Sequence, residues 1–111
     1  MEKLTLYKQI LRKWMSAQLT DNQTLQEEET YMVVDEENQH YLLYHNGWDN
    51  MSRSYGCFFH ARIKNEKIFI EYNGTDIEVA EDLVVEGVAK ADIVLAFHAP
   101  AKRKHTGFGV A

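Results

Sequence analysis

The side chains with the most chemistry to offer are five histidines and one cysteine: His40, His45, His60, His98, His105 and Cys57. Zinc takes three or four convergent nitrogen, sulfur or carboxylate ligands, so this set invites a metal reading. The spacing argues against it. Residues an odd number apart on a strand face opposite sides, which separates Cys57 from His60 and His40 from His45. Cys57 instead shares its strand parity with Phe59, Ala61 and Ile63, which predicts a small core residue rather than a nucleophile. Asp82 and Glu86, four apart, can share a helix face, but acid–base work needs an opposing partner. No Gly-x-Gly-x-x-Gly or Walker-type run offers a phosphate loop. No catalytic residue, no cofactor site and no metal site is predicted.

Two groups suit recognition better. Gly47-Trp48-Asp49 leaves a strand at a bend and precedes Arg53. An aromatic beside an acid and a base fits an interface anchor, because Trp and Arg dominate binding energy at contact centres. The alternative is that Trp48 folds back over the sheet edge and seals the core. The second group is the only dense basic run, Lys102-Arg103-Lys104-His105, followed by Phe108. It is either a solvated tail or an electrostatic contact with an acidic partner or a DNA backbone. His98 ends a buried strand just before it. Candidate partner-binding residues are therefore Trp48, Asp49, Arg53, His98, Lys102, Arg103 and Phe108. A small-ligand site around Trp48, Asp49 and His98 is a further option.

The elements that must carry these residues are legible in the apolar spacing. Leu4, Tyr7, Ile10, Leu11, Trp14 and Met15 form one stripe, predicting a helix over Glu2 to Gln18. Thr20-Asp21-Asn22 breaks it and opens a polar connection to about Glu27. Four strands are expected next: Thr30 to Val34, His40 to Gly47, Tyr55 to Lys64, and Ile68 to Tyr72. Their short connections predict an antiparallel meander. Thr75 and Glu78 have the spacing of a capping box opening a second helix, with Ile77, Ala80, Leu83 and Val84 on its inner face. Gly87 stands where that helix ends in the left-handed conformation. Asp92 to Phe97 reads as a fifth, buried strand, stopped by Pro100. The fold class is α+β in the order α-β-β-β-β-α-β. Both helices are expected on one face of the sheet, leaving the other for a partner or a second copy.

Size and charge agree with a single domain over residues 1–111. A chain of 111 residues can bury one core without staples, and 45% hydrophobic with 26% charged residues is ordinary for a globular protein. One cysteine cannot form an internal disulfide, which suits a reducing cytoplasm. No segment approaches the ~20 apolar residues of a bilayer span. The net charge of -5 counts against independent tight DNA binding, which normally needs a broad basic face. Contact with DNA is expected to be indirect or weak.

Several short motifs, in one order along nearly the whole chain, carry a resemblance. They are Gly47-Trp48-Asp49, Tyr55-Gly56-Cys57, His60, Lys67-Ile68, Asn73-Gly74-Thr75, Gly87-Val88, Asp92-Ile93-Val94-Leu95, Phe97-His98, Pro100, Lys102-Arg103 and Thr106-Gly107-Phe108. Together with the helix YKQILRKW they resemble the XisI family, the fdxN element excision controlling factor. The resemblance implies a non-enzymatic accessory factor that works with a companion, an XisH-like protein, beside a separate recombinase. Ala89 stands where the family tends to have proline. Gly107 and Gly109 replace an acidic residue and an alanine that are more usual there. Homodimers or higher homo-oligomers are also expected, since a small sheet must cover its second face.

Overall fold

A computed structural model of the chain describes residues 2–20 and 28–110, with the side chains at 2, 20, 28 and 49 outside that description. The expected polar connection after Thr20 lies outside the described residues. The elements are α1 (Glu2–Thr20), β1 (Glu28–Asp35), β2 (His40–Asp49), β3 (Ser52–Lys64), β4 (Lys67–Asn73), α2 (Val79–Glu86) and β5 (Ile93–Leu95). Short 3₁₀ turns cover Lys90–Asp92 and Pro100–His105.

The strands form one sheet in the order β1-β2-β3-β4-β5. The first three pairings are antiparallel, the predicted meander. β5 joins β4 in parallel. A parallel partner needs a crossover, and α2 supplies it. The β3–β4 connection uses Asn65 and Glu66 at φ 55° and 60°, the positive pair that a tight two-residue hairpin turn requires.

The stripe of α1 lands where its spacing placed it. Tyr7, Ile10, Leu11, Trp14 and Met15 are buried against Tyr41, Leu43, Phe59, Ala61, Ile63, Ile68, Ile70 and Ile93 of the sheet. Val79 and Leu83 of α2 join the same core, and the Trp14 indole donates to Asp82 Oδ2 at 3.1 Å. Both helices therefore cover one face. Polar ties fix the middle and the first half of α1. Arg12 Nη1, at mid-helix, reaches Glu36 Oε2 in the β1–β2 turn at 2.9 Å. Nearer the start, the Tyr7 hydroxyl donates to Asp92 Oδ2 at 2.7 Å and Lys3 Nζ meets the same oxygen at 2.9 Å.

Four local expectations are corrected. The capping box does not form: Glu78 is the N-cap of α2 and makes no side-chain cap bond. The Thr75 hydroxyl is occupied elsewhere, donating to Asn73 Oδ1 at 2.6 Å and accepting from the Ile77 amide at 3.2 Å. Ile77 consequently precedes the helix and is exposed. Asp92 belongs to a 3₁₀ turn and β5 ends at Leu95, because Pro100 and the turn at Ala96 redirect the chain. Gly47-Trp48-Asp49 stays within β2, and the bend falls at Asn50, whose φ is 59°. Gly87 does close α2 at a positive φ of 123°.

The fourth correction concerns Cys57. Leu43 pairs with Phe59 but Tyr44 pairs with Cys57, so Phe58 is an extra residue on β3. Such a bulge reverses the parity on one side of it. Cys57 leaves the core face, is only half-buried, and lies opposite Tyr44; its thiol donates to Phe59 O at 3.1 Å.

Candidate interaction surfaces

The sheet face away from the helices carries a ladder of rings. Paired residues on adjacent strands share a face, which sets Tyr31 opposite Tyr44 on β1 and β2, while Tyr55, opposite Asn46, is the diagonal neighbour of Tyr44 on β3. Tyr31 and Tyr44 stack with centroids 5.9 Å apart, and Tyr44 meets Tyr55 at 6.2 Å. Trp48 pairs with Arg53 across the β2–β3 hairpin. The Arg53 guanidinium lies 5.1 Å from the Trp48 ring and 5.6 Å from the Tyr55 ring. Trp48 is 50% exposed and Tyr55 62%, so this cluster is held in place yet open to contact. The reading in which Trp48 seals the core is thereby corrected. The Asp49 side chain lies outside the described residues.

Beyond the ladder, His40 Nδ1 and His60 Nε2 are 2.9 Å apart. Sequence spacing missed this pair because its members are brought together across strands; the β2–β3 register was the signal that would have found it. Burial lowers the His60 pKa from its ordinary value, and the neighbouring His40 and Arg62 lower it further while Glu71 opposes them. Among the described residues, no group of three or more His, Cys, Asp or Glu could hold a metal ion.

The C-terminal candidates gather at the far edge of the sheet. His98, Lys102, His105 and Thr106 line an open cavity of about 620 Å³ with Leu95 and Ala101. Arg103 does not face it freely: its Nε donates to His98 O at 3.0 Å and its Nη2 to Ala96 O at 3.2 Å. That guanidinium holds the tail together. Phe108 packs against the core and under Lys90, whose Nζ lies 5.2 Å from the ring centroid. Of the seven candidates, Trp48 and Arg53 thus meet at the hairpin, while His98 and Lys102 meet beyond β5.

A family model for the XisI protein matches residues 1–110. The chain belongs to the XisI family. Its fold is similar to a XisI-like protein of Anabaena variabilis ATCC 29413, with a TM-score of 0.90 and 38% identity, covering 97% of this chain and 99% of that one. It is also similar to the fdxN element excision controlling factor XisI of the same organism, with a TM-score of 0.81 and 30% identity, covering 98% and 99%. No curated protein matches the chain. No described helix of this XisI-family chain is long and apolar enough to cross a membrane.

Proposed function

We propose that the chain is a non-enzymatic accessory factor in programmed excision of a DNA element, and that it acts by docking on a companion protein of the XisH-like kind. The observation that carries this reading is the Trp48–Arg53–Tyr55 cluster, exposed on the face that the helices leave uncovered. Rigid aromatics with an arginine are the residue types on which binding energy concentrates. Family membership and the similarity to a named excision controlling factor supply the process.

The test is co-purification with the XisH-like companion. Trp48→Ala should weaken capture by about 30-fold or more, as removal of a hot-spot anchor does, with an unchanged circular dichroism spectrum. Undiminished capture by the folded variant would place the contact elsewhere. A second reading, direct contact with the DNA backbone, is favoured by the convergence of His98, Lys102 and His105 on one cavity. It predicts binding to bare duplex that falls steeply with salt and is lost in Lys102→Glu. Arg103 is unsuited to that test, since its substitution would disturb the tail itself.

A further inference from the structure

β3 is longer than the strand that covers it. It runs from Ser52 to Lys64, but β4 pairs only with Phe59–Lys64. Among the described residues nothing pairs with the outer side of Ser52–Cys57. β4 is also prevented from growing over it. Gly74 N donates to Phe58 O at 2.8 Å, and the Asn73 side chain closes a turn on Thr75 N at 3.0 Å. A Cβ at Gly74 would meet Phe58 O at 3.1 Å and the Tyr72 ring at 3.0 Å, so the chain leaves the sheet at a crowded, fixed point.

The direction of the free backbone groups follows from the register. Ile63 N donates to Gln39 O at 3.0 Å, which makes Gln39–Ile63 a hydrogen-bonded pair and sets the alternation along β2. Past the bulge at Phe58 the bonded pair is His45–Gly56, so Tyr55, opposite Asn46, turns its N–H and C=O outward. Arg53 and Cys57 do the same. Open edges of this kind are commonly blunted by lysine or proline, and Ser-Arg-Ser-Tyr-Gly-Cys contains neither; its one charge, Arg53, is drawn onto the Trp48 and Tyr55 rings, and the bulge at Phe58 lies beyond the segment.

We propose that this edge pairs antiparallel with the same edge of a second copy of the chain, about a twofold axis at Tyr55. That register sets Tyr55 against Tyr55, Arg53 against Cys57 and Ser54 against Gly56 of the second copy. The opposed pairs from Arg53 to Cys57 are free of like charge, and only serine and glycine meet on the helix side; the pairing is confined to these residues, because the Phe58 carbonyl next along already accepts from Gly74 N. The other free edge, β1, is less suited at its centre, since twofold pairing about Met32 would set Glu29 against Asp35. The two sheets become one continuous sheet, and the Trp48–Arg53–Tyr55 clusters of both copies become neighbours on one face.

The proposal needs only the pure chain, so its outcome is separate from that of companion docking. Sedimentation equilibrium should give about twice the 12.9 kDa of one chain. Tyr55→Pro removes the outward N–H and should restore the single-chain mass, while Tyr55→Thr, which keeps it, should remain paired. As a check independent of proline, a nitroxide on Tyr55→Cys in a Cys57→Ala background should show strong dipolar broadening between copies. The same label on Lys90→Cys should not. A wild-type chain that stays monomeric overturns the proposal, whatever foreign strand occupies the edge. So does a dimer without broadening at position 55.

Discussion

At the scale of single residues, the His40–His60 contact sets a titration. A ring nitrogen must donate and its partner accept, so the 2.9 Å contact cannot survive protonation of both rings. His60 is depressed below 6.5 first by burial, then by His40. The folded state thus favours the neutral ring more than the unfolded chain does. Stability from this group is fully present above about pH 6.5 and is lost as pH falls through the folded value. In an NMR titration the His60 midpoint should lie below 6.5. His40→Ala should raise it without restoring it fully, because burial remains, and Glu71→Gln should lower it further. A midpoint unmoved by His40→Ala would show that the rings do not interact. None of this could be read from spacing, since only the paired strands bring residues 40 and 60 together.

Among the elements, the return of the tail to β5 makes the sharpest demand on sequence. Gly109 N donates to Ile93 O at 2.7 Å, and Gly109 forms a parallel bridge with Val94. A Cβ there would collide with the carbonyl of Ala91 and come within 3.1 Å of Ile93 O. Gly109→Ala should therefore detach the tail and expose Val94, costing about 1–3 kcal/mol in overpacking and lost contact. Denaturant unfolding measures that loss, and faster amide exchange at Gly109 would accompany it. An unchanged midpoint would mean that the tail shifts freely. Gly109 was legible only as a departure from the family pattern; its reason is the closeness of two backbones. The α1 stripe, by contrast, was legible throughout, because helical periodicity reports burial directly. β3 was legible as a strand from Tyr55, but the facing of its side chains was legible only from Phe59 onward. The bulge at Phe58 is a backbone event, and no side chain announces it. The capping box failed for a related reason: Asn73 competes for the Thr75 hydroxyl, and spacing alone does not rank competitors.

For the molecule as a whole, Asp92 joins the first helix to the approach of the last strand. Burial pushes its carboxyl upward, but hydrogen bonds from Tyr7 and Lys3 outweigh that and hold it below 3.8. The stabilisation is present above the unfolded carboxylate range and disappears as pH falls through the folded value. Asp92→Ala leaves the Tyr7 hydroxyl without its carboxylate acceptor and should cost about 1–3 kcal/mol at neutral pH. Asp92→Asn, which keeps an acceptor, should cost less, and the gap between it and the wild type should close on acidification. Equal denaturation midpoints for wild type and Asp92→Ala at neutral pH would contradict the role. The same tie also orders events at the ribosome. A chain emerging amino end first can build the β1–β4 meander from neighbouring segments, but the seat of α1 is completed by a residue synthesised 85 positions after Tyr7. Until then the oily stripe of this helix has only part of its berth, so the newborn polypeptide passes through a stage in which that stripe is incompletely covered.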